Sequence, residues 1–292
     1  MGDLLSEALE GVLEQRGVKM ITTADKARET MTLGNVTKGG QRLPARWMLY
    51  GVDGIGKSTF ASQSPDPIFI CTEDGALNID VPQFPLCESW DDVMACLREL
   101  YSQEHHYKTA ILDSADWAQA LAVRHVTKNE FGDDTQSYEA YGRGAKSLMR
   151  EWQKFLQALD YLRKKRGMEI GMIAHAIVKA FKNPTGDDYD RYQSNLSDSA
   201  STSIWGKTKE WCDIVMFANY DVLVKKDNIK ATKGKGLMKQ GDNGRVMYTQ
   251  ASAAWDAKVR EGWNLPAKMP LSQEVFRSHL TKQAAITEQE SE

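Results

Sequence analysis

Gly51-Val52-Asp53-Gly54-Ile55-Gly56-Lys57-Ser58 fits the spacing G-x-x-x-x-G-K-[ST] at every constrained position. Glycines at that spacing let backbone N–H groups turn inward around phosphate oxygens, and a helix starting at the end of the loop adds its N-terminal dipole. Lys57 would reach the β- and γ-phosphates, Ser58 would ligate Mg²⁺, and Thr59 completes the phosphate-binding stretch. A second group is Glu73, which ends the apolar run PIFICT. A carboxylate there can reach a water beside a γ-phosphate and act as its base. Asp74, one residue on, is the rival, but it adjoins Gly75 and reads better as a turn former. A third group is Asp113, closing the apolar run TAILD. An acid at the carboxyl end of a strand lies where phosphates bind in open α/β sheets, so Asp113 is the second expected Mg²⁺ holder.

These groups need strands to carry them. Arg46–Tyr50, Pro67–Thr72, Thr109–Asp113 and Ile170–Ala174 are short apolar runs and read as buried strands. Helical patterns separate them: 91–101, about 115–131, and a long stripe through Tyr141, Ala145, Leu148, Trp152, Phe155, Leu159 and Leu162. Strands alternating with helices predict an α/β fold with a mainly parallel central sheet and helices on both faces. Residues 181–209 are polar and read as one long irregular loop. From Asp213 strands return close together, as in an antiparallel C-terminal extension. Leu5, Ala8, Leu9, Val12 and Leu13 share one side of a helix expected within residues 1–30. The expected organisation is an N-terminal helical arm over 1–39, a nucleotide-binding domain over 40–270, and a C-terminal segment over 271–292 ending in an acidic tail.

Composition sets outer bounds. The chain has 292 residues, 41% hydrophobic and 26% charged, with a formal net charge of −3. Any polyanionic partner must therefore be held by a local patch and not by global attraction. No run is long and apolar enough to span a membrane, and the acidic start differs from a secretory signal. The four cysteines have neither C-x-x-C nor zinc spacing and read as reduced thiols, which predicts a cytoplasmic protein.

A phosphate loop, a Glu closing the next strand, an Asp-Ser closing the one after, and His175 closing a fourth resemble the RecA-like ATPase core. The phrases LYGVDGIGKSTFA, IFICTEDG, ILDS and ANYD are similar, more narrowly, to phage-encoded RecA-like ATP-binding proteins, the single-strand annealing and recombination ATPases. The resemblance covers roughly residues 40–270. It implies an ATPase using ATP and Mg²⁺, with His175 sensing the γ-phosphate and signalling to a DNA-binding loop after it. RecA itself has Gln there. In that loop Tyr189, Tyr192 and Trp205 would stack on bases, although its charges are balanced. A lysine-rich stretch offers a better phosphate-backbone contact: Lys225, Lys226, Lys230, Lys233, Lys235, Lys239 and Arg245. Lys258 and Arg260 resemble the paired basic fingers that cross to a neighbouring subunit's nucleotide, which implies a ring or filament of identical chains. The implied partners are single-stranded DNA, further copies of the chain and, as an additional candidate, a single-strand-binding protein. Rival readings are a DNA-translocating motor or helicase subunit, a small-molecule kinase, and a nucleotide-gated scaffold with little turnover.

Overall fold

The run RWMLYG is buried at every position and forms β1 (Arg46–Gly51), the middle of the sheet. A strand apolar on both faces belongs inside a sheet with helices on each side. The computed structural model describes residues 33–36, 43–76, 79–199, 202–225, 235–238 and 244–280. The helix expected within residues 1–30 lies outside them. The chain divides into two units, Met1–Arg42 and Leu43–Glu292. Of the first, only a short 3₁₀ turn at Leu33–Asn35 and residue 36 are described.

In the second unit β1 is followed by α1 (Lys57–Ser62), β2 (Pro67–Cys71), α2 (Trp90–Ser102), β3 (Thr109–Asp113) and α3 (Ala115–Phe131). Next come the short α4 (Thr135–Glu139), the long α5 (Arg143–Lys165), β4 (Glu169–Phe181) and β5 (Tyr189–Ser194). Then follow α6 (Ile204–Trp211), β6 (Ile214–Tyr220), β7 (Val222–Lys225), β8 (Lys235–Met238), β9 (Arg245–Tyr248), β10 (Lys258–Val259) and β11 (Lys268–Pro270). A last helix, α7, covers residues 273–280. The main sheet runs β11-β9-β6-β1-β4-β3-β2. The five strands from β6 to β2 are parallel, and β9, β10 and β11 join antiparallel. This is the expected α/β architecture with antiparallel strands at the C-terminal side.

Alternation along each strand separates two cores. Met48, Tyr50, Ile70, Leu112, Met172 and Phe217 face α2, α3, α5 and α6. Trp47, Leu49, Phe69, Ile111, Ile173 and Met216 face α1 and α7. Phe276 of α7 packs edge-on to Trp47 and against Phe60, so residues beyond 270 belong to the same core as the sheet.

Two sequence expectations are corrected. The polar stretch 181–209 is not one irregular loop, because β4 runs on to Phe181, turns, and pairs back with β5, and α6 follows. The turn is Asn183-Pro184-Thr185-Gly186, in which the Asn183 side chain accepts from the Thr185 backbone N–H and hydroxyl. The first returning strand is also not antiparallel. β6 lies parallel to β1, because α6 provides the crossover such a connection requires.

Candidate active site

The carboxyl ends of β1, β2 and β3 meet along one edge. Register aligns Cys71 with Asp113, Asp113 with Ile173, and Gly51 with His175. β1, β2 and β3 therefore end at the level of Ile173–His175, whereas β4 runs on to Phe181, so the residues that follow the first three strands share one crevice with His175.

The loop after β1 has the shape of a phosphate cradle. Gly54 and Gly56 have φ of 69° and 101°, values that favour glycine. A Cβ at Gly51 would sit 2.5 Å from the Ala218 carbonyl oxygen, so the close approach of β6 also requires glycine there. Lys57 Nζ donates to the carbonyls of Gly51 and Val52, at 3.1 Å each, which folds it over the loop. Burial pushes its pKa down, while Asp53, Asp113, Asp116 and Glu73 pull it up without reversing the shift.

Asp113 is 2% exposed. Burial raises its pKa, opposed by a hydrogen bond from Ser58 and the charge of Lys57. Its Oδ2 is buried without a hydrogen-bond partner. An orphaned carboxylate oxygen beside a serine hydroxyl fits a hard divalent cation. Among the described residues no cluster of three or more His, Cys, Asp or Glu side chains would cage a metal. Thr72 ties the strand ends together: its hydroxyl donates to the Ser114 carbonyl at 2.8 Å and accepts from the Ser114 N–H at 3.0 Å.

Glu73 follows Thr72 directly, and its side chain is 20% exposed. His175 Nε2 lies 3.9 Å from Glu73 Oε1 and 4.0 Å from Asp53 Oδ1. The other ring nitrogen, Nδ1, is 2.9 Å from Asp116 Oδ2, and the His175 backbone N–H donates to Asp116 Oδ1 at 3.1 Å. Asp116 therefore fixes the ring so that Nε2 faces the crevice. The Asp116 hydrogen bond is the main reason the His175 pKa is raised, against burial. Burial opposes ionisation of Asp116, but its bonds and attraction to His175 hold it below the usual carboxylate range. Sequence reasoning missed Asp116, because an acid in the first turn of a helix reads as a partner of the helix dipole. Its signal was the spacing, three residues after Asp113 in DSAD. Beside Glu73 a cleft of about 670 Å³ opens, lined by Asp74, Leu86, Trp117, Leu121 and Arg124 among others, with Trp117 48% exposed.

Other expected site residues lie elsewhere. Trp205 is 2% exposed and packs edge-on against Tyr50, so it offers no face to a base. Tyr192 is half-buried and stacks on Phe217 at 5.0 Å, against the core. Of the expected stacking residues only Tyr189 stands on the hairpin away from the core, packed on Phe181 at 5.2 Å. Lys258 and Arg260 sit at the opposite edge of the sheet, where β10 pairs with the start of β6. Lys258 Nζ donates to the carbonyls of Lys209, Glu210 and Cys212, closing the C-terminus of α6 with all three protons. Arg260 donates to the Glu210 carbonyl at 2.8 Å and lies 3.5 Å from Asp213. In this chain the pair serves α6 and does not stand free as fingers. Lys225 and Lys235 are opposite each other in the β7–β8 ladder. Lys226, Lys230, Lys233 and Lys239 lie outside the described residues. Arg245 is described. It opens β9, and its guanidinium lies against the phosphate loop at Gly56.

Fold and site together define a phosphate-loop nucleotide-binding α/β domain. The chain belongs to the AAA domain family, which matches residues 43–261. A search of curated proteins finds no match. Among solved structures the chain is similar to the RadB recombinase, at 13% identity and a TM-score of 0.36, over 70% of this chain and 92% of that one. At that identity and score the likeness adds nothing to the strand order. No helix among the described residues is long and apolar enough to cross a membrane.

Proposed function

We propose that the protein is a Mg²⁺-dependent ATPase of RecA-like type that couples nucleotide state to a grip on single-stranded DNA, for annealing or strand exchange. The observation that carries this reading is the placement of His175. It faces Glu73 across the crevice at 3.9 Å, and its own strand continues without a break into the β4–β5 hairpin. A change at the γ-phosphate then has a direct covalent route to a projecting element. The residues LYGVDGIGKSTFA, IFICTEDG, ILDS and ANYD extend the reading to a phage-encoded protein. Lys258 is not assigned a finger role, since it is used inside the chain.

In this reading the loop N–H groups and Lys57 hold the β- and γ-phosphates. Ser58 and Asp113 would hold Mg²⁺, which when bound neutralises charge on those phosphates. Glu73 accepts a proton from a water whose oxygen forms the new bond to the γ-phosphorus, while the bond to the β–γ bridging oxygen breaks and ADP leaves with that electron pair. His175, held by Asp116, offers Nε2 toward the same space and registers loss of the γ-phosphoryl group.

The test is phosphate release by wild type and Glu73→Gln, with Mg²⁺-ATP and with and without oligothymidine. The expected result is a fall of about 10²- to 10⁴-fold in the variant, with ATP affinity kept. Equal rates in the two proteins would remove Glu73 from catalysis and favour a nucleotide-gated scaffold.

A further inference from the structure

We propose that Arg245 is a nucleotide-contacting residue, a second cation that the same chain lays on its phosphate loop. The proposal rests on the nucleotide-site reading and adds to it a residue from the far side of the sheet. The strand order places β9 beside β6 and β6 beside β1. Because β9 is antiparallel, its first residue lies at the edge where the parallel strands end. Arg245 pairs with Tyr220, two residues beyond the Ala218 that stands opposite Gly51. From there the side chain reaches over the loop, where a Cβ on Gly56 would come within 3.1 Å of an Arg245 terminal nitrogen. The missing side chain at Gly56 thus leaves room for the guanidinium as well as for phosphate.

The charge balance calls for such a group. Asp53, Glu73, Asp113 and Asp116 all act electrostatically on Lys57, and a triphosphate would add further negative charge to the same crevice. The Arg245 Nε is buried without a hydrogen-bond partner, and among the described residues no carboxylate pairs with its guanidinium. An arginine with a buried donor unmet beside a phosphate cradle is suited to a forked contact with phosphate oxygens. The lysines that precede it in sequence made it look like part of a DNA-binding segment, and the two assignments make opposite predictions.

The experiment titrates fluorescent ADP and ATP analogues into wild type, Arg245→Gln and Arg245→Lys, each checked for folding by circular dichroism. Oligothymidine binding without nucleotide is measured alongside. The expected result is nucleotide affinity about 10- to 100-fold weaker in Arg245→Gln, partly restored in Arg245→Lys, with oligothymidine affinity unchanged. If the glutamine variant fails to fold, the lysine variant carries the test. It keeps the charge but not the fork, and its nucleotide affinity must still fall. Wild-type nucleotide affinity in a folded variant, or weakened oligothymidine binding with nucleotide binding intact, would overturn the proposal and leave the nucleotide site standing. Wild type that binds no nucleotide would overturn both.

Discussion

Asp116 holds His175 through two hydrogen bonds, one to the ring and one to the backbone, and that pair has a measurable pH signature. The His175 pKa is raised in the folded chain, chiefly by the Asp116 bond. A histidine whose folded pKa lies above its unfolded value of about 6.5 contributes stability that is complete below that value. The contribution is lost as pH rises through the folded pKa. Asp116→Asn is therefore expected to lower the His175 pKa, read from ring-proton shifts in an NMR titration. The stability advantage of wild type over the variant should be largest on the acid side, around pH 6, and shrink as pH rises. A difference that does not vary with pH would mean that the pair is not ionised and that Asp116 acts by geometry alone. At this scale the sequence was legible where a charged residue closes or closely follows a strand, as at Asp113 and Glu73, whereas His175, expected to close the fourth strand, lies inside β4, which runs on to Phe181. The sequence was least informative where two residues distant in sequence meet, as Asp116 and His175 do, or Arg245 and Gly56.

At the scale of elements, the stretch 181–209 divides into a projecting hairpin and a buried helix. Its aromatic residues divide with it. Trp205 on α6 is in the core, beside Tyr50, and Lys209 lies over its ring at 5.7 Å. Trp205→Ala should cost about 3–5 kcal/mol in urea denaturation, as removal of a buried aromatic does. Tyr189→Ala should change stability by about 1 kcal/mol or less, since its ring contacts mainly Phe181. It should instead weaken oligothymidine binding by about 1–3 kcal/mol. Unchanged DNA affinity in Tyr189→Ala would take the hairpin out of the binding surface. Polarity hid these elements from a sequence reading. The β5 residues YDRYQS are polar on both faces, and Arg191 pairs internally with Asp256 at 2.9 Å and lies over the Phe181 ring at 4.4 Å. The Asn-Pro-Thr-Gly turn was the one local sign of a hairpin.

For the whole molecule, the alternation of strands and helices up to residue 174 made the parallel sheet legible. Continuous apolar runs are how strands covered on both faces read. What followed was harder, because β6 joins the centre of the sheet while its sequence neighbours β7 and β8 form a separate pair. Closeness in sequence predicts a meander, and only the crossover through α6 makes β6 parallel to β1. That insertion matters for function. It brings Ala218 against Gly51, and it carries β9 with Arg245 to the phosphate loop. At the opposite edge, Arg46 and Arg163 converge on the buried Asp213, with Asp160 also paired to Arg46. Lys258 and Arg260 close α6 there. The molecule thus has one edge built around nucleotide chemistry and one built around a structural charge network.

The central claim is that nucleotide state, read at His175, governs the grip of the β4–β5 hairpin on single-stranded DNA. The most direct measurement is fluorescence anisotropy of a labelled oligothymidine strand without nucleotide, with Mg²⁺-ADP and with Mg²⁺ and a non-hydrolysable ATP analogue, at two salt concentrations. The account predicts salt-sensitive binding that is clearly tighter with the ATP analogue than with ADP. Equal affinity in all three states, or no binding by protein shown to hold nucleotide, would contradict it.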